Sequence, residues 1–239
     1  NEYNNYQRSY NNQEWNPAGS IARSNAHSRE LGAILNTYLQ VNPIEKLTLR
    51  TQFGANAHYR RSDSFVPKFN MDPLEKQDLN EITRRNQEWF DWNWTNTATY
   101  MDTFAEKHNL NVMAGFTAER FAWYNTQARR DNVPNNLDQM QEVNAGQQGT
   151  DDANGQTTYN TLVSFLGRVI YNYNNRYYIS ASLRADGSSR FPKGSKYALF
   201  PSVSASWRVI SEAFMQDQDI FSDLKLRGGW GRVGNQNIN

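Results

Sequence analysis

The sequence predicts an all-β protein: an antiparallel meander of about eight long strands, forming an open, curved segment of a larger transmembrane β-barrel. Three observations lead there. Apolar and polar residues alternate with period two over stretches longer than the roughly 5–6 residues of an ordinary globular strand. Aromatic residues make up 13% of the 239 residues, although the hydrophobic total is only 38%. That balance of ring-rich and polar sequence suits strands with one face in lipid and one in water. The connections between strands also alternate, short then long, as they do in barrels with turns on one side of the membrane and loops on the other.

The strands follow in order. Residues 29–41 form an extended segment of ambiguous facing, because Ile34 and Tyr38 oppose Leu31, Leu35 and Leu39. Residues 46–60 alternate cleanly: Leu47, Leu49, Thr51, Phe53, Ala55, Ala57 and Tyr59 oppose Lys46, Arg50, Asn56, His58 and Arg60. Side chains on a strand point alternately to its two sides, so this segment has one apolar and one wet face. Residues 89–101 set Phe90, Trp92, Trp94, Ala98 and Tyr100 against Asp91, Asn93, Thr95, Thr97 and Thr99. Segments 109–124 and 161–173 alternate less cleanly. Residues 177–185, 197–209 and 223–232 complete the meander, the last with Leu224, Leu226 and Trp230 opposite Lys225 and Arg227. Short connections are expected at 42–45, 102–108 and Asn174–Asn175, a pair able to take the positive φ of a tight hairpin. Long ones are expected at 61–88 and 126–159, with 186–196 intermediate. Residues 211–222 are expected to hold a short helix, since Ser211 can cap its start.

Composition excludes several functions. Twenty-five Lys and Arg balance 24 Asp and Glu, which leaves no clustered basic face for a nucleic-acid partner. With no cysteine, disulfide frameworks, Cys-ligated zinc and thiol catalysis are excluded. No apolar run approaches the roughly 18 residues of a spanning helix. The chain opens in polar Tyr/Asn-rich sequence without a starting Met, which reads as a piece of a longer protein. Lipid cannot satisfy backbone N–H and C=O groups, so strands that span it must belong to a closed sheet.

From residue 177 the sequence becomes specific. Tyr177-Tyr178-Ile179-Ser180-Ala181-Ser182-Leu183-Arg184-Ala185-Asp186-Gly187-Ser188-Ser189-Arg190-Phe191 resembles a recurrent segment of the SusC/RagA family of TonB-dependent outer-membrane transporters. Residues 200–215 (Phe200-Pro201-Ser202 through Trp207-Arg208 to Glu212-Ala213-Phe214-Met215) and 222–238 (Asp223-Leu224-Lys225-Leu226-Arg227 through Gly234-Asn235-Gln236-Asn237) resemble the next two, in the family's order and spacing. Residues 35–54 and 94–115 resemble family hairpins more loosely. Gly228-Gly229-Trp230 departs from the family's more frequent Ala-Ser-Tyr, which changes strand bulk only. The resemblance implies a barrel of about 22 strands with an internal plug, and TonB-dependent import of a glycan or peptide nutrient across the outer membrane of a Gram-negative, Bacteroidota-like cell. It implies a TonB complex and a SusD-like lipoprotein lid as partners. It makes residues 1–239 part of a single barrel domain from the middle of the wall, with plug and TonB box elsewhere.

Candidate sites follow from facing. Phe90, Trp92, Trp94, Tyr100, Trp207 and Trp230 are expected at the membrane interface, where rings collect near headgroups. Arg50, Arg60, Arg168, Arg184, Arg208 and Arg227 alternate with apolar positions and are expected to face the lumen, as solvated wall or as charge along the transport path. No catalytic, cofactor or metal site is expected. Gly229-Trp230-Gly231-Arg232-Val233-Gly234 matches G-x-G-x-x-G but lacks the following helix and acid of a dinucleotide site. His27, His58 and His108 are scattered. Asp151-Asp152-Ala153-Asn154-Gly155 lacks the closing Glu of a calcium loop. Asn93-Trp94-Thr95 fits a glycosylation sequon without meaning in a strand of this kind. A soluble carbohydrate-binding β-sandwich and a small closed eight-stranded barrel are the competing readings. The first requires a facing layer over the apolar side; the second requires the first and last strands to pair.

Overall fold

A computed structural model describes residues 17–71, 76–136, 141–192 and 194–235. A short helix, α1 (Pro17–Arg23), leads into the strands β1 (Asn25–Ile44), β2 (Leu47–Val66), β3 (Phe69–Asn70), β4 (Lys76–Gln77), β5 (Glu81–Phe104), β6 (His108–Asp131), β7 (Asp152–Tyr173), β8 (Tyr177–Ser188), β9 (Tyr197–Arg208) and β10 (Lys225–Gly231). Eight of these form one sheet in the order β1-β2-β5-β6-β7-β8-β9-β10, and β3 pairs with β4 alone. The eight-strand meander is therefore as the sequence predicts. β1 and β10 stand at opposite ends of the order and do not pair, so the sheet is open and the small closed barrel is not formed.

Three connections are tight: residues 45–46, 105–107 and 174–176. Asn174 and Asn175 both take positive φ, 51° and 55°, and Arg176 N–H donates back to the Tyr173 carbonyl at 3.0 Å. That is the primed turn whose twist matches a hairpin.

Two boundaries differ from the sequence reading. The strands run on through much of the expected loops 61–88 and 126–159, which shrink to residues 67–80 and 132–151. Arg60–Ser64 and Arg84–Glu88 are polar on both faces, so the alternation that marks a strand vanishes there while the backbone ladder continues. The expected helix at 211–222 is instead two 3-10 turns, Val209–Ser211 and Ala213–Met215. Glu212 between them is extended (φ −82°, ψ 151°), which interrupts helical bonding, and Ser211 makes no cap.

The described residues cluster into two compact units. The first, within residues 1–33, 57–90 and 122–158, holds a small core of Phe65, Ile82 and Val133 with Val143 and Ala145 packed on it. Asn80, 4% exposed, knits this unit. Its side-chain amide donates to the Val133 carbonyl at 3.0 Å and the Asn136 side chain at 3.2 Å, and its backbone carbonyl accepts Asn132 N–H at 2.8 Å. The second unit comprises residues 34–56, 91–121 and 159–239, including the three tight turns and β8–β10. Among the described residues no second layer covers its apolar face: Leu35, Leu39, Phe165, Ile179, Leu183, Leu199, Val203 and Trp230 are all exposed. A sandwich would have covered them.

Candidate functional site

Register sorts the side chains of the second unit onto two faces. Across β7–β8, Phe165 pairs with Ala185, Val169 with Ala181, Tyr171 with Ile179 and Tyr173 with Tyr177. Across β8–β9, Ile179 meets Ala205, Ala181 meets Val203 and Tyr177 meets Trp207; across β9–β10, Trp207 meets Leu226 and Val203 meets Trp230. Apolar partners meet apolar partners, and directly opposed residues share a side of the sheet. On the other face Arg168 pairs with Ser182, Ser180 with Ser204, and Arg227 with Ser206. A slip of one residue would invert all of these.

The apolar face carries two rows of rings. One lies at the tight-turn end: Phe104 stacks on His108 (centroids 4.9 Å), His108 meets Tyr173 (5.0 Å), and Tyr173 meets Tyr177 (6.3 Å). His108 Nδ1 also shares a 2.6 Å hydrogen bond with the Tyr171 hydroxyl. The other row joins Phe53 to Trp92 (6.3 Å), Trp94 to Phe116 (6.2 Å) and Phe116 to Phe165 (5.4 Å). Trp94 Nε1 donates to Thr51 Oγ1 at 2.9 Å, so its polar atom is satisfied by protein. Eight strand residues separate His108 from Phe116, and Tyr173 from Phe165. At about 3.3 Å per residue and a tilt of about 40° the rows stand about 20 Å apart along a barrel axis.

Of the aromatics singled out by sequence, Trp92 and Trp94 sit in the second row and Trp207 continues the turn-end row. Tyr100 donates its hydroxyl to Asp102, which also pairs with Lys46 at 2.7 Å. Trp230 lies opposite Val203, midway along the face rather than in either row. Phe90, in the first unit, lines an apolar hollow with Leu31, Tyr59 and Tyr124. Sequence reasoning missed Phe104, His108, Tyr171, Tyr173 and Tyr177. Their signal is positional: rings flanking tight turns on consecutive hairpins.

The polar face holds the arginines. Arg50 lies over the Tyr38 ring at 4.3 Å and donates to Gln52. Arg184 bonds Asp186 at 2.6 Å and Ser164 at 2.9 Å. Arg208 bonds Asp223 at 3.2 Å. The Tyr38 contact also settles the facing of β1: Tyr38 and Ile34 share the polar side, whereas Leu39 and Val41 line a hollow with Leu49 and Phe116. Ile34, Asn36, Asn56, Asp91, Asn93, Glu119 and Phe121 line a concavity of about 250 Å³. Its floor is Gly54, where any Cβ would collide with the Asn93 amide. Amides, two carboxylates and a ring in one hollow offer hydrogen bonds to a polar, extended ligand.

In the first unit, Arg60 pairs with Glu30 at 2.6 Å beside His58 and Trp89. Arg84 bridges Asp63 (3.0 Å) and Glu142 (2.6 Å), and this guanidinium holds the Glu142 carboxyl below the usual carboxylate range. Asp151 is bonded by Arg130, which likewise lowers its carboxyl, while Asp152 and Gly155 lie in β7, so this stretch forms no loop of free oxygen ligands. The glycines of 229–234 pack rather than bind: Gly229 faces Ser204 and Gly234 lies under the Phe200 ring.

No family model matches the chain. TonB-dependent receptor P39 of Formosa agariphila is 29% identical over 216 residues, 88% of this chain and 20% of that protein. TonB-dependent receptor P26 of the same organism is 25% identical over 223 residues, 93% of this chain and 22% of that protein. TonB-dependent receptor SusC of Bacteroides thetaiotaomicron is 49% identical over 86 residues, 35% of this chain and 9% of that protein. The chain thus spans about a fifth or less of the length of these relatives. Among solved structures, the RagAB peptide transporter superposes with a TM-score of 0.87 at 25% identity, covering 98% of this chain and 26% of that one. The RagAB peptide importer in its "open-open" state gives 0.86 over the same shares.

Proposed function

We propose, from the premise that this chain is a SusC/RagA-like stretch of a TonB-dependent receptor barrel, that it forms part of the wall of an outer-membrane importer. The observation that carries this reading is the pairing of apolar with apolar residues across β7–β10 on a face that no second layer among the described residues covers. That face meets acyl chains. The two rings of aromatics, about 20 Å apart, match the roughly 25 Å apolar band of outer-membrane barrels and lie at its two headgroup levels. Trp92, Trp94 and Trp207 belong to those levels.

The polar face, with Arg50, Arg184, Arg208 and Arg227, lines the lumen. A charge on the lipid side at mid-bilayer would cost about 2–4 kcal/mol, which supports this facing. Transport makes and breaks no covalent bond, so the wall needs no catalytic group. The cargo is an oligopeptide rather than a glycan: the RagAB likeness covers nearly the whole chain, and RagAB is a peptide importer. The hollow of Asn36, Asn93, Asp91 and Glu119 offers amides and carboxylates to a peptide backbone and its basic side chains. A SusD-like lipoprotein covers the mouth and a TonB complex supplies the energy. Loops 67–80 and 132–151 are the contacts for lid or cargo.

The test is uptake by cells carrying the full-length protein. Labelled oligopeptides should accumulate in a TonB-dependent way and oligosaccharides should not. Asp91→Asn combined with Glu119→Gln should slow uptake of basic peptides more than of acidic ones. Uptake of sugars alone would overturn the cargo, and absence of the protein from the outer-membrane fraction would overturn the wall.

A further inference from the structure

The connection between β9 and β10, residues 209–224, falls at the same strand ends as the tight turns 45–46, 105–107 and 174–176, yet it is far longer. Those turns are polar, carrying Glu45, Lys46, Glu106, Lys107 and Arg176. The long connection instead exposes Phe214 (69%), Ile220 (83%) and Phe221 (50%). It is also built rather than loose. Glu212 accepts hydrogen bonds from the Tyr177 hydroxyl (2.6 Å) and Trp207 Nε1 (2.9 Å) and pairs with Arg176 (3.4 Å). Trp207 then meets Phe214 edge-on, with centroids 6.4 Å apart.

Tyr177 and Trp207 belong to the apolar face and continue its turn-end row of rings. Phe214 extends that row off the sheet. At the tip, Gln218 Oε1 accepts both the Ile220 and Phe221 N–H groups, and its amide donates to the Phe221 carbonyl. Backbone donors beside two exposed apolar side chains are thus already satisfied, as entry into a low-polarity medium requires. Asp217 and Asp219 stay exposed beside them, which favours a zwitterionic over an anionic lipid surface.

We propose that residues 212–221 form a membrane foot: an interfacial element that seats Phe214, Ile220 and Phe221 among phospholipid headgroups at the tight-turn side of the barrel, latched to the wall through Glu212. The proposal rests on the reading of the apolar face as lipid-facing. Rings and aliphatic tips at this level suit the headgroup boundary, where short apolar segments bind without spanning.

Spin labels test it on the full-length protein in phosphatidylcholine vesicles, in a background without other cysteines. Labels go at Phe214→Cys, Ile220→Cys, Glu106→Cys in a tight turn, and Leu199→Cys on the strand face. The readout is the ratio of oxygen to nickel-chelate accessibility. Ratios at 214 and 220 severalfold above that at 106 are expected. Water-like ratios at 214 and 220 with a lipid-like ratio at 199 would overturn the foot and leave the wall standing. A water-like ratio at 199 would overturn both. Shielding of 214 and 220 from both reagents would show that protein covers them, and would overturn the foot. Glu212→Gln should raise nickel access at 214 while leaving 199 unchanged.

Discussion

Replacing Val203 by arginine is the sharpest probe of the two-faced wall. Val203 lies between Ala181 on β8 and Trp230 on β10, neither of which can pair with a charge. It is also the midpoint of the apolar run from Leu199 to Trp207 on β9. Eight residue steps of about 3.3 Å make about 26 Å along the strand, or about 20 Å along a barrel axis at a tilt of about 40°. That fits inside an apolar band about 25 Å tall and places Val203 near its centre. An arginine there should cost about 2–4 kcal/mol, or roughly 30-fold to several-hundred-fold in the folding equilibrium. The neighbouring Ser204→Arg points to the polar face, opposite Ser180, and should change stability by under about 0.5 kcal/mol. Reversible urea unfolding of the full-length protein in lipid vesicles, followed by tryptophan fluorescence, measures both. Equal midpoints for the two variants would refute the assignment of faces, and with it the lipid contact on which the importer reading depends.

On β2, Leu49→Arg should impair membrane assembly well beyond Arg50→Leu, since the latter gives up mainly a ring contact with Tyr38 and one hydrogen bond; the folded fraction on a heat-modifiable gel reports this. Asn80→Leu should cost about 1–3 kcal/mol, because it strands the buried Val133 carbonyl and removes the side-chain bond to Asn136, while the backbone bond from Asn132 N–H to the carbonyl of residue 80 is kept. Hydrogen exchange should quicken at residues 132–136. The Glu212 carboxyl is held below its ordinary value by the Tyr177 hydroxyl, then by Trp207 Nε1, with Arg176 assisting. A lowered carboxyl stabilises the fold above its unfolded-state value of about 4.3, and that contribution is lost as pH falls through the folded value. Protection factors at residues 209–216, taken against the intrinsic exchange rate at each pH, should therefore be high at neutral pH and fall in acid, and Glu212→Gln should flatten that dependence.

Alternation is a local property, written two residues at a time, so the sequence alone determined the eight strands of the main sheet, their antiparallel order and the faces of β2, β5, β8 and β9, but not the small β3–β4 pair. It placed the positive φ at Asn174–Asn175 for the same reason, since a hairpin turn is made of neighbours. Where both faces are polar, as at Arg60–Ser64, local pattern carries no signal, and only the backbone ladder shows that the strand continues. The facing of β1 was undecidable from its own residues, because Ile34 and Tyr38 are as apolar as the leucines opposite; the position of Arg50 on the adjacent strand decided it. The rows of rings join residues such as His108 and Tyr173, and the Glu212 latch joins residue 212 to Tyr177. Such contacts depend on the register between strands far apart in the chain. That register comes from the whole sheet, so these features belong to the tertiary structure and to no stretch of sequence.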